Sequence, residues 1–450
     1  MEESRLPQLL ALWMAVILLV AAVRWRRKHG GVGLTVAYLL NLWLIHWLAV
    51  SLYLIPGFQN NDARIVELGF EQSTYAVLAF AFGAVALMPL LRNLRTATAA
   101  VTHVPDPNLP RAYIALGVVA FLLLSSVGSL PSVTSIVSTG QELVIVGLGL
   151  CCWQAWRQKN FSTFAFWIGA TMLLPFITIV TRGFIGYGAV ASLTILIFVA
   201  SFIRSRFAIT AIAIVVGYVG LSFYVTYMRD RGEIREVVWG GQSFADRIAR
   251  ISTTIETFEW FDPSNNDHLD RIDDRLNQNV LVGSAVSRLT DLGGFARGST
   301  LWDALLALIP RALWPDKPIT AGSGHLVTDY TGIQYAVGTS VGIGQVMEFY
   351  VNFGTLGVII GFVVMGVLVT LLDQFAADRL ALGDLHGFVL FFLPGIALLQ
   401  VGGQLVEVTT SAAASVLVAI VVNKYLARLQ QKQAPQGGTV LSAPLTAGQP

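Results

Sequence analysis

Stretches of apolar residues follow one another through this chain until residues 228–342, where the pattern stops for about 115 residues and then resumes. A helix that crosses a bilayer needs about 20 mostly apolar residues. Stretches near 7–23, 31–55, 73–91, 112–130, 133–155, 161–181, 185–203, 207–227, 354–372, 386–405 and 408–424 meet that need. The fifth is the weakest, because Gln141 and Glu142 lie within it. These stretches predict an all-α polytopic membrane protein of 11–12 transmembrane helices with one long loop. The expected parts are a membrane bundle of about eight spans (1–227), a loop domain (228–342), a second membrane part of about three spans (343–429) and a disordered tail (430–450).

Composition agrees. Of the 450 residues 55% are hydrophobic and 12% charged, against roughly 25% charged in a soluble domain. A net charge of +2 predicts no nucleic-acid partner. Cys151 and Cys152 are adjacent within an apolar span, which suits neither an ordinary disulfide nor a metal site, so both read as packing residues.

The distribution of charge sets the expected orientation. Glu2 and Glu3 precede the first span, and Arg24-Trp25-Arg26-Arg27-Lys28 follow it, the reverse of a cleavable signal peptide. The first span is therefore expected to stay, with its N-terminus outside. Arg92/Arg95/Arg111, Arg157/Lys159, Arg204/Arg206, Arg379 and Lys424/Arg428/Lys432 then fall on the same side as Arg24–Lys28. That side is expected to be cytoplasmic, together with the C-terminus, and the long loop extracytoplasmic. No repeat relates the first eight spans to the last three, which counts against a transporter built from two related halves.

The long loop holds 15 of the 27 Asp and Glu residues. Phe244, Ile248, Ile251, Ile255, Phe258 and Phe261 recur at helical spacing, predicting an amphipathic helix over 244–261 ended by Asp262-Pro263. Asp267, Asp270, Asp273 and Asp274, with Arg271 and Arg275, lack the spacing of a calcium loop and read as a solvated helix face. Leu301–Trp314 is apolar but too short to span, and reads as re-entrant or interfacial.

Arginine carries the chemistry. Arg229, Arg231, Arg235, Arg288, Arg297, Arg311 and Lys317 all lie in this loop. A guanidinium fork fits phosphate oxygens bidentately, although salt bridges to the loop's own carboxylates are the plainer reading for any one of them. Arg182, in Thr181-Arg182-Gly183 between two apolar spans, is the sharper candidate, since an ionisable residue so placed marks function by default. Glu348 precedes an apolar span with no basic neighbour in sequence, and His325 lies in Gly322-Ser323-Gly324-His325. Either could serve as a general base; Glu407 has a weaker claim, and His46 reads as a bonded core residue. There is no phosphate loop, nucleophile elbow or His/Cys metal cluster. No metal or other cofactor is expected.

Three stretches give the chain a resemblance to the O-antigen and exopolysaccharide polymerases of bacteria (Wzy type), within the superfamily that includes the O-antigen ligases. They are Thr181-Arg182-Gly183, Ile309-Pro310-Arg311-Ala312-Leu313-Trp314-Pro315-Asp316-Lys317-Pro318, and Glu348-Phe349-Tyr350-Val351-Asn352-Phe353-Gly354. The resemblance implies a C-type glycosyltransferase of the bacterial inner membrane. Such an enzyme polymerises undecaprenyl-diphosphate-linked repeat units without a metal. Its partners would be lipid-linked donor and acceptor, membrane lipid and, in some systems, a chain-length regulator. It implies diphosphate binding by Arg182 and Arg311, with Lys317 and Arg288 assisting. The base stays open between Glu348 and His325. The ligases carry a His-polar pair near the end of the loop, and here Leu326 follows His325, which favours the polymerase. A ligase-like transferase and a lipid-glycan flippase are the alternatives.

Overall fold

Apolar side chains at nearly every position leave the backbone of these spans no water to bond, so the chain meets its hydrogen-bonding needs internally as helix. A computed structural model describes residues 5–26, 31–87, 106–125, 131–203, 205–309, 314, 323–335 and 341–433, and shows no strand among them. The first membrane part comprises α1 (Leu6–Arg26), α2 (Leu34–Leu42), α3 (Leu48–Leu52), α4 (Ala63–Phe82), α5 (Leu109–Ser125), α6 (Pro131–Arg157), α7 (Phe161–Met172), α8 (Leu174–Arg182), α9 (Gly186–Phe202) and α10 (Arg206–Trp239). A π-helical turn, Trp43–Trp47, joins α2 to α3. Five shorter helices follow: α11 (Phe244–Glu256), α12 (Asn266–Leu276), α13 (Asn279–Leu292), α14 (Ser299–Ala307) and α15 (Ser323–Thr331). The chain then returns through α16 (Gln345–Ala381), α17 (Leu385–Leu398) and α18 (Leu405–Gln433).

Among the described residues seven helical stretches are long and apolar enough to cross a membrane: Leu6–Arg24, Leu34–Leu52, Ala63–Leu87, Phe161–Arg182, Arg206–Trp239, Gln345–Ala381 and Leu405–Gln431. α5, α9 and α17 contain shorter apolar stretches. α6, the span expected to be weakest, runs 27 residues. Its Glu142 is buried and accepts a hydrogen bond from the Ser415 hydroxyl of α18 at 2.7 Å. Cys151 and Cys152 are free and buried, as expected.

Polar contacts sort the helix ends into two groups. At one end Arg24, late in α1, pairs with Asp373 of α16. Asp373 Oδ1 accepts the N–H groups of Val32, Gly33 and Leu34 at 2.7, 2.9 and 3.1 Å. A helix start has N–H groups with no partner within the helix, and here Asp373 caps α2 from another span. Tyr113 of α5, His386 of α17 and Asn423 of α18 also meet at this end, with Tyr113 donating to Asn423 Oδ1 at 2.7 Å. The opposite end holds the Arg182–Gly183 turn, Tyr53, α11–α13 and the start of α16. Arg24, the end of α16, the start of α17 and the part of α18 around Asn423 therefore share one end.

Three features depart from expectation. α10 does not stop at Met228 but continues to Trp239, because its charges are met: Arg229 pairs with Asp230 at 2.7 Å and Glu259 at 2.6 Å, and Arg250 with Asp230 at 3.1 Å and Glu233 at 2.9 Å. The amphipathic helix ends at Glu256 rather than 261. Glu259 and Phe261 instead donate their N–H groups to Thr226 and Ser222 of α10, each at 3.0 Å, which ties the segment down as a connection. Asp273 is buried rather than solvated. It accepts from Tyr53 (3.0 Å), Asn60 (3.1 Å), Asn61 (2.6 Å) and Asn277 (2.7 Å), fastening α12 to the loop after α3.

The start of α16 is folded back. Phe353 and Gly354 leave the helical conformation, Gly354 at φ 61°. A Cβ at Gly361 would meet the Phe349 ring at 2.6 Å, although twelve residues of straight helix span about 18 Å. Residues 345–352 are thus a re-entrant half-helix against the span that follows, and all are buried. Its start pairs with the α17–α18 turn: Gly344 N–H donates to Gly402 O at 3.2 Å, and Gln345 N–H to Val401 O at 3.0 Å. Tyr38 donates to the Gln345 side chain from α2.

Candidate functional site

The arginines of the Arg182 end differ in their partners. Arg229, Arg250 and Arg271 are paired, the last with Glu259 at 3.2 Å. Desolvation alone would raise the Glu259 carboxyl, but hydrogen bonds from Arg229, His268 and Arg271 outweigh it and hold it below the usual carboxylate range. Arg182, Arg231, Arg235 and Arg275 are different. Among the described residues none of the four has a carboxylate oxygen within 4.0 Å.

Local geometry positions these four. Arg182 is the last residue of α8, and Gly183 closes the helix at φ 72°, a conformation that costs glycine little. The Gly183 carbonyl accepts from Tyr227 Oη at 2.7 Å and Arg235 Nε at 3.4 Å. Trp239 Nε1 donates to the Arg182 carbonyl at 3.1 Å. The Arg182 guanidinium lies 5.6 Å from the Phe121 ring centre and 5.5 Å from that of Tyr187. The Arg235 guanidinium lies 4.3 Å from the Phe184 ring centre and 5.0 Å from that of Trp239. Arg231, one helical turn before Arg235, is close enough to Arg235 and Arg275 for their charges to repel. Arg231, Arg235 and Arg275 are like charges gathered beside aromatic walls, with no carboxylate within 4.0 Å among the described residues, an arrangement that suits an anion.

Glu348 occupies a second region, on the half-helix. It is 0% exposed, and its Oε2 accepts the Leu405 N–H at 2.6 Å. Oε1 has no hydrogen-bond partner, with the Thr300 hydroxyl in its surroundings. Neither an arginine nor a lysine pairs with it among the described residues. Asn41 Oδ1, Gln278 Oε1 and Gln404 Oε1 are also buried and unpartnered. The Gln278 side chain lies against Gly342, Gly344 and Gly402, and a Cβ at Gly344 would meet Gln278 Oε1 at 2.3 Å. Buried acceptors without donors are uncommon. Irregular backbone at membrane depth is tolerated where it is enclosed by protein or lines a polar cavity.

Of the residues singled out from sequence, Arg182 is joined to α10 through its own carbonyl and that of Gly183, while its guanidinium lies apart from that of Arg235, over Phe121 and Tyr187. Arg311 and Lys317 lie outside the described residues. Arg288 bonds the Asp329 carbonyl at 3.1 Å, linking α13 to α15, and makes no hydrogen bond or ring contact with Arg182. His325 is exposed on α15, and Glu407 is exposed in the first turn of α18. His46 is buried and bonded to Asn279 at 2.8 Å. Glu348 and Arg182 make no direct contact; they share the same end of the bundle. Sequence reasoning named Arg231 and Arg235 without ranking them, though their four-residue spacing places both on one helix face. Arg275 is exposed, as the solvated-face reading expects, but its closeness to Arg231 was not anticipated, nor was the place of Gln278. Among the described residues no three His, Cys, Asp or Glu side chains are grouped to hold a metal ion.

No curated protein and no solved structure matches the chain. A family model described as a domain of unknown function (DUF8712) matches residues 58–430, and the chain belongs to that family.

Proposed function

We propose that this protein is a membrane glycosyltransferase that polymerises undecaprenyl-diphosphate-linked repeat units at the outer face of the bacterial inner membrane. One observation carries the reading: Arg231, Arg235 and Arg275 lie close to one another beside aromatic rings with no carboxylate within 4.0 Å among the described residues, while Arg229 and Arg271 nearby are paired. A lipid diphosphate is an anion held at the membrane surface, and guanidinium groups match its oxygens in charge and geometry. The Arg182 end is then the outer face and the Arg24 end the cytoplasmic face. The seven membrane-length helices, α5, α6, α9 and α17 together supply eleven spans.

In this reading Arg182, Arg231, Arg235 and Arg275 meet the charge that develops on the diphosphate as it leaves. Fixed cations at that position stabilise the transition state without reorganising. Arg311 and Lys317 are proposed to complete the grip. Glu348 takes the proton of the acceptor hydroxyl through Oε1, with Oε2 held by Leu405; His325 is the competing base. Diphosphate is neutralised by guanidinium groups, so transfer persists in excess chelator. The test follows labelled lipid-linked repeat units in proteoliposomes. Undecaprenyl diphosphate released in step with glycan lengthening supports the reading. Transbilayer movement of intact substrate without such release supports a flippase instead.

A further inference from the structure

α10 is two helices in environment. Its outer half packs on α8, α11 and α12. Its inner half, 206–220, is exposed or partly exposed at every position. Phe207 is 86% exposed, Ile214 67% and Val215 62%. A Cβ added at Gly217 or Gly220 would meet nothing within 4 Å. Of the seven membrane-length helices among the described residues α10 is the barest: 11% of its apolar window is buried, against 22–56% in the other six. The bare half therefore stands off the bundle and exposes an apolar flank next to it.

The same helix carries Arg231 and Arg235. Gly220 and Arg231 are eleven residues apart, about 16 Å along the axis. The stacked pair Tyr218 and Trp260, centres 5.8 Å apart, marks the passage from the apolar flank to the polar domain. One helix thus offers cations at one end and some 20 Å of bare apolar surface below them. That combination matches an amphiphile with an anionic head and a long unbranched-backbone tail, not a second copy of the chain, whose packing would leave the cations uncompensated.

We infer that the flank of α10 over residues 206–220 seats the polyprenyl chain of the lipid-diphosphate substrate, with the head on the arginines above. This rests on the proposed function and adds where the lipid lies. The chain enters sideways from the bilayer, so the diphosphate arrives at Arg231 and Arg235 without crossing the polar domain.

The test uses full-length protein in nanodiscs and, as probe, undecaprenyl diphosphate tagged with benzophenone along its chain. Cross-links should map to 206–220, and unlabelled undecaprenyl diphosphate should compete whereas phosphatidylglycerol should not. Gly217→Trp with Gly220→Trp should weaken binding of the tagged undecaprenyl diphosphate by at least about tenfold, because two indoles fill the surface on which the chain would lie and displace its apolar contact, leaving inorganic pyrophosphate binding unchanged. Cross-links on other spans, full competition by phosphatidylglycerol, or cross-links to a second copy would each overturn the inference while pyrophosphate binding stands. Loss of pyrophosphate binding in wild-type protein would instead count against the proposed function itself.

Discussion

The Leu405 backbone N–H donates to Glu348 Oε2 at 2.6 Å, so a carboxylate on the folded-back half-helix caps the start of the last membrane helix. This bond fixes one oxygen and leaves the other unpartnered. Glu348→Gln keeps an acceptor for Leu405 and should fold normally, yet lower glycan transfer by at least about 100-fold if Oε1 takes the proton. Glu348→Ala leaves a buried N–H unpaired, at a cost of about 1–3 kcal/mol, and should lower the melting temperature as well. His325→Ala should transfer at close to the wild-type rate. A normal rate in Glu348→Gln together with a loss in His325→Ala would move the base to His325.

The division of the arginines makes a second prediction. Arg235→Gln should weaken pyrophosphate binding about ten- to hundredfold, the worth of one charge-assisted hydrogen bond. Arg229→Gln should leave that affinity unchanged and lower thermal stability, since Arg229 pairs with Asp230 and Glu259. Calorimetric titration on the two variants separates the roles; equal losses of affinity would erase the distinction.

The Arg24–Asp373 pair is almost wholly buried. Asp373→Asn should cost about 3–5 kcal/mol, because removing one charge strands the other in an apolar setting. Arg24→Gln with Asp373→Asn should recover part of that loss. Melting curves of the three proteins decide it, and no recovery in the double variant would show that capping of α2, not charge, dominates.

Acid should act through Glu259. Its carboxyl is held below its unfolded value, so its contribution to stability is present at neutral pH and is lost as pH falls through the folded value. The gap in melting temperature between wild type and Glu259→Gln should be full at pH 7. It should narrow below about pH 4, near the unfolded carboxylate pKa. A gap that does not change with pH would remove the charge from the account.

Much of the fold was legible because bilayer-length apolar stretches leave helix as the main solution, and the positive clusters sort the ends. The re-entrant half-helix was not legible, since its reversal depends on Gly354 at φ 61° and on Phe349 fitting where Gly357 and Gly361 have no side chain. The site was half legible. Arg182 announced itself as a lone charge between apolar spans. Arg275 is exposed, as its place among aspartates suggests, and only the fold brings its charge near Arg231 and turns Asp273 inward to Tyr53. Glu348 was legible as a carboxylate without a basic neighbour, but its bond to Leu405 depends on how α16 folds back.

The most direct measurement gives purified protein in proteoliposomes only the lipid-diphosphate repeat units extracted from its own host, in excess chelator, and resolves the glycans by size. The account predicts a ladder of lengthening products from wild type, and none from folded Arg182→Ala or Arg235→Gln. Wild-type protein that makes no ladder from this substrate, or folded Arg182→Ala that makes a full one, would contradict it.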